Sequence, residues 1–165
     1  MDTQVKLYLE RSGNELRLAV IINNLSQSEV KSELGGEKED TFYSSVITHA
    51  YYAMFYAAKA ILLTKNIKTD IPDVHKKTLD AFKEAFVDSG ILDVELLKIY
   101  NKMIIRADEL LGLLQHEKKK RGQFVYKTIS QANKEPAEES IQNARKFISH
   151  IKMIVEKIKE EIHSD

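Results

Sequence analysis

The stretch Phe42–Leu63, FYSSVITHAYYAMFYAAKAILL, limits what this chain can become more than any other. Between its ends Lys59 is the one fully charged side chain, and apolar residues point in almost every helical direction. On a 3.6-residue spiral one flank collects Ala50, Ala53, Ala57 and Ala60, which would let a neighbouring backbone come close. The opposite flank collects Tyr51, Tyr52, Phe55, Tyr56 and Leu62. A helix that is apolar all round is either enclosed by other helices or crosses a membrane. Four tyrosines, two serines, His49 and Lys59 make this one too polar for lipid, so the pattern predicts a buried central helix.

At 165 residues the chain has the length of one domain, 1–165, and no internal repeat stands out. The 25 basic and 25 acidic side chains cancel. No global field draws the chain to nucleic acid or a membrane surface, and any such binding must come from a local patch. Cysteine is absent, which removes disulfides, thiolate metal sites and cysteine nucleophiles together. The opening MDTQVKLYLERSGNEL has no apolar signal core, so a cytoplasmic location is expected. Two prolines and six glycines are few, and favour long helices over a many-turned β fold.

A first helix is expected over 3–33, with Gly13 weakening its first turns. Gly35-Gly36 marks a turn, after which Asp40 or Thr41 is placed to cap the central helix through a short side-chain oxygen. That helix should stop near Asn66. A third follows Pro72 with an inner stripe of His75, Leu79, Phe82 and Phe86, closed by Ser89-Gly90. A fourth carries Leu97, Tyr100, Ile104, Ala107, Leu111 and Leu114. A fifth runs from about Pro136 through Ile141, Ala144, Ile148, Ile151, Val155, Ile158 and Ile162. Alternating steps of three and four give long, near-parallel packing, so the expected fold is all-α, an up-and-down bundle of four to five helices.

The basic run Lys118, Lys119, Lys120, Arg121, followed by Gly122 and then Phe124, Val125 and Tyr126, is the most informative local feature. Extending the fourth stripe past Leu111 and Leu114 puts Lys118 and Arg121 on the inward face, where a guanidinium can hold a phosphate or a developing anion. The same residues also fit a plain helix end, with cations at the negative pole of the dipole and glycine as the stop. His116 lies five residues before Arg121; on spacing alone it is a part-exposed histidine. His75 falls on an apolar stripe, and His49 precedes the tyrosines, where a core hydrogen bond is expected; His150 and His163 read as solvated. A di-iron bundle needs two inward Glu-x-x-His pairs, and only Glu160–His163 has that spacing, so no metal and no cofactor are expected. No Gly-rich phosphate loop, HExxH or G-x-S-x-G is present.

Three segments together resemble one known family. His49-Ala50-Tyr51-Tyr52-Ala53-Met54-Phe55-Tyr56-Ala57-Ala58-Lys59-Ala60 is similar to the second helix of the HEPN domains, small helical bundles common in archaea and bacteria. His75-Lys76 with Phe82, Phe86 and Gly90 resembles that family's H-x(6)-F segment, and Ala144-Arg145-Lys146-Phe147 the A-x-x-F of its last helix. Many HEPN domains resemble metal-independent ribonucleases with an Arg-x(4–6)-His motif in a cleft between two subunits. A histidine there moves the proton of the RNA 2′-hydroxyl, and the arginine stabilises charge on the scissile phosphate. Arg121 matches the arginine, but Tyr126 and Lys127 stand where the histidine belongs, after Val125.

The resemblance implies a homodimer and a partner, a minimal nucleotidyltransferase, in a toxin–antitoxin-like module. In such pairs the transferase adds nucleotide to a tyrosine near the motif, and Tyr126 holds that position. The implied function is RNA binding and cleavage without metal, with Arg121, His116 and Tyr126 as catalytic candidates. Lys118, Lys119, Lys120, Arg121, His49 and His75 are the nucleotide- or RNA-binding candidates. The alternative is a non-catalytic module that binds nucleotide or protein and lacks the motif histidine.

Overall fold

The computed structural model describes residues 3–111, 133–162 and 164. Among them the chain forms five α-helices and no strand. Helix α1 spans Thr3–Ser26, α2 Tyr43–Thr64, α3 Val74–Phe82, α4 Val94–Leu111 and α5 Lys134–Ile162, with a short 3-10 helix, Glu29–Leu34, between α1 and α2.

Helix α2 is the centre of the bundle and packs against α1, α3, α4 and α5. By length and composition it could cross a membrane, but here other helices enclose it, and Val46, Ile47, Tyr51, Met54, Ile61 and Leu62 are all buried. Its alanine flank does what small side chains permit. Ala50, Ala53, Ala57 and Ala60 are sealed from solvent, and the buried Ser12 hydroxyl of α1 donates to the Ala53 carbonyl at 2.7 Å. That bond runs from a short side chain of α1 to the backbone of α2, so α1 lies closer to α2 than larger side chains would allow.

At the other side of α2, an aromatic cluster joins three helices. Phe82 of α3 lies 5.6 Å from Tyr100 of α4 and 5.3 Å from Phe147 of α5, ring centre to ring centre. Offset and edge-on contacts of this kind add to the area the rings bury. Phe86 joins them from a π-helical turn, Lys83–Val87, that continues α3. Gly90, at φ +76°, then turns the chain toward α4, as the Ser89-Gly90 pair implies.

Several local expectations need correction. Helix α1 ends at Ser26, not near residue 33, because the next residues form a turn and a 3-10 helix capped by the Ser28 hydroxyl. Gly13 does not interrupt α1, which runs through it. Neither Asp40 nor Thr41 caps α2; Phe42 occupies the N-cap without a side-chain bond. The Asp40 carboxylate instead accepts from the Glu37 amide at 2.8 Å, closing its own turn, and the Phe42 amide is satisfied by Ser26 Oγ at 2.9 Å. Pro72 lies before α3 rather than in its first turn; the N-cap is Asp73. On α4 the inner stripe holds through Leu97, Tyr100, Ile104 and Ala107, but Leu111 is 43% exposed.

Candidate functional site

The sequence candidates divide sharply. Lys118, Lys119, Lys120, Arg121, His116 and Tyr126 lie outside the described residues, in the connection between α4 and α5. His49 and His75 are described, and they have different partners.

His49 sits on α2 facing α1, with Nδ1 2.6 Å from the Glu15 carboxylate. It is half-buried and joins two helices, which is the polar contact its place before the tyrosines implied. His75 opens α3. Its ring lies 4.5 Å from that of Phe55 and is flanked by Tyr51 and Tyr52, and its Nδ1 is 2.8 Å from the Tyr51 hydroxyl. Burial pushes the Tyr51 phenol well above its usual range, so it keeps its proton. Among the described residues that hydroxyl has no other hydrogen-bond acceptor, so it donates to Nδ1 and leaves the imidazole proton on Nε2. Burial first, and the nearby Lys59 ammonium second, hold the His75 pKa below the usual histidine value, with Asp108 opposing. At neutral pH His75 is therefore an uncharged ring offering an Nε2–H donor, not a free base.

Asp108 was not foreseen. It is 7% exposed, in the last turn of α4, and its charge reaches both Tyr51 and His75. The only signal for it in the sequence is a carboxylate four residues after Ile104, on the edge of the apolar stripe. Its position sets the end of α4, just before the connection that carries Arg121, beside the Tyr51–His75 pair.

Arg106 was also missed. Its side chain is 12% exposed, and it donates Nη1 to the Pro136 carbonyl at 3.1 Å and to Ser140 Oγ at 2.9 Å, and Nη2 to Glu139 at 2.9 Å. Lys102 pairs with the same glutamate, and these two cations, Lys102 first, hold its carboxyl below the usual range. One guanidinium thus clamps the end of α4 to the start of α5. Both ends of the connection bearing the basic run are held together at one end of the bundle. Among the described residues no group of three or more histidine, aspartate or glutamate side chains is placed to hold a metal ion.

An all-α bundle built on a Tyr/Ala-rich central helix, with a histidine packed against it and an arginine joining the fourth helix to the fifth, defines a small helical-domain class. The HEPN domain matches residues 23–154, and the chain belongs to the HEPN family. Among curated relatives it is 31% identical over 120 residues to a Methanocaldococcus jannaschii protein named "Putative toxin MJ0605", covering 73% of this chain and 76% of that one. A second protein of that organism, "Putative toxin MJ0142", is 36% identical over 90 residues, 53% of this chain and 59% of its own. A UPF0332 protein of Thermotoga maritima is 30% identical over 115 residues, covering 70% and 74% respectively.

Proposed function

We propose that this chain is the toxin-like component of a two-component module, acting in the cytoplasm as a homodimer that binds RNA through the connection between α4 and α5. The observation that carries this reading is the family membership, together with two archaeal relatives that have toxin in their names. The Arg106 clamp supports it physically, since it fixes both ends of the segment that holds Lys118, Lys119, Lys120 and Arg121. In this reading Arg121 stabilises charge on the phosphate, His116 moves the proton of the 2′-hydroxyl, and neither step uses a metal. Tyr126 is the acceptor for nucleotide added by a minimal nucleotidyltransferase partner. Exposed Ile105 and Leu111 on α4, and Leu7, Leu18 and Ile21 on α1, supply apolar surface for pairing of two copies.

A second reading, nucleotide or RNA binding without cleavage, is favoured by one specific observation. His75, the histidine that feels the Asp108 charge at the end of α4, has Nδ1 occupied by Tyr51 and its proton on Nε2. It can donate to a phosphate or a base carbonyl but is not set up to accept a proton. Incubating the protein with total RNA in chelator, beside Arg121→Ala and His116→Ala, separates the two. Cleavage by the wild type that both variants lose supports the ribonuclease reading. RNA retained intact on a filter by the wild type and lost by Arg121→Ala leaves the binding reading, and no retention by either refutes both.

A further inference from the structure

Gly13 is a poor choice for the middle of α1, where glycine costs about 1 kcal/mol relative to alanine. The structure gives it a use. A Cβ on Gly13 would lie 3.3 Å from Arg17 Nη1, so the missing side chain is the space across which the guanidinium lies. Asn14 Oδ1 accepts from Arg17 Nη2 and fixes the fork from one side. Gly13, Asn14 and Arg17 all line a groove of about 670 Å³ between α1 and α5, within the size of small-ligand sites.

The charges in this groove are not balanced. Four basic and two acidic side chains line it. The two glutamates are already engaged, Glu10 with Lys6 at 4.0 Å and Glu156 with Lys159. Arg17 and Lys152, on facing walls, have no carboxylate partner among the described residues. An arginine whose fork is pre-aimed by a neighbour, over a backbone left bare, with an unpaired ammonium opposite, matches a group with several acceptor oxygens and negative charge. We propose that the groove between α1 and α5 binds phosphate groups, with Arg17 and Lys152 as its principal contacts. This surface lies on the later part of α5, away from the clamp at Pro136 and Ser140, and it goes beyond the proposed function because it holds whether or not the chain cleaves RNA.

Phosphate can come from a ribonucleotide strand or from a free nucleotide, and fluorescence anisotropy with each distinguishes them. The probes are a labelled oligouridylate and a labelled ATP, titrated with the full chain at two salt concentrations. Arg17→Gln/Lys152→Gln is expected to weaken binding of at least one probe about tenfold at low salt. Its salt slope on the strand should fall by roughly 0.7 for each phosphate that is no longer neutralised. Weakening confined to the oligouridylate identifies a strand as the ligand, and weakening confined to ATP a free nucleotide. Lys38→Gln/Lys98→Gln removes the same charge elsewhere and should stay within about twofold of wild type. Unchanged affinity and slope in the Arg17/Lys152 variant, equal weakening in the two double variants, or no binding of either probe by the wild type would overturn the proposal. Arg121→Ala in the same titration keeps the two sites apart. Weaker binding there with no change at Arg17 and Lys152 sinks this groove and leaves the proposed function standing.

Discussion

The Tyr51 hydroxyl and the Nδ1 of His75 lie 2.8 Å apart, joining the central helix to the start of α3 through a buried phenol. Because burial and Lys59 hold the His75 pKa below its unfolded value, the unfolded chain takes up the proton first as pH falls. The contribution of His75 to stability is therefore complete above about pH 6.5, the ordinary histidine value, and is lost as pH drops through its lower folded value. Thermal unfolding followed between neutral pH and the onset of carboxylate titration should show this decline, and His75→Asn should flatten it. Long-range proton–nitrogen NMR on the wild type is expected to find the neutral ring protonated at Nε2; a proton on Nδ1 would reverse the assigned direction of the bond.

The alanine seam makes a second prediction. Ser12→Ala removes one buried hydrogen bond to the Ala53 carbonyl, which keeps its own place in α2, and should cost about 1 kcal/mol. Ala53→Leu puts three more carbons where the α1 backbone already lies, and should cost about 1–3 kcal/mol or more, as overpacking does in other cores. Urea denaturation that found the leucine variant as stable as wild type would mean the two helices are free to move apart.

Much of this architecture could be read from the residues, because burial follows periodicity. The stripes of α3, α4 and α5, the alanine flank of α2 and the stop at Gly90 are all decisions made within a few residues of chain. What escaped was settled between distant segments. Helix α2 has no side-chain cap, and the amide of its N-cap residue Phe42 finds its acceptor in Ser26, sixteen residues earlier. Gly13 stays helical because α1 is packed along its length, which overrides a local propensity. Asp108 and Arg106 gained their roles only when α4 met its neighbours, and no spacing along the chain announces a partner on another helix. The basic run is the clearest local signal for function, and it lies outside the described residues.

Arg106 should behave as a clamp rather than as a surface charge. Its bonds to Pro136 and Ser140 are shielded, whereas Glu139 is 40% exposed and contributes little through charge alone. Arg106→Ala is expected to cost about 2 kcal/mol in urea, and Arg106→Lys to recover less than half, since an ammonium cannot reproduce the fork. Glu139→Gln should cost well under about 1 kcal/mol. A lysine variant equal to wild type would show that charge, not geometry, holds the two helices.

Lys31 offers the sharpest test of how the turn before α2 is held. Its side chain is only 7% exposed, and the ammonium donates to the Asp40 carbonyl at 2.8 Å and the Ser26 carbonyl at 3.2 Å. Those two residues also supply the bonds that close the turn and cover the Phe42 amide, so one cation reaches both sides of the connection. Lys31→Met keeps most of the apolar stem and removes the donors. Two outcomes compete: removing two charge-assisted bonds weakens the fold, while a buried charge no longer needs to be stripped of water. Because both acceptors are backbone carbonyls that stay in place without their partner, the weakening should win, by about 1–2 kcal/mol. Hydrogen exchange should quicken first at the amides of Gly36, Asp40 and Phe42, with α5 unaffected. Greater stability in the methionine variant would show that desolvating the ammonium outweighs the bonds it makes.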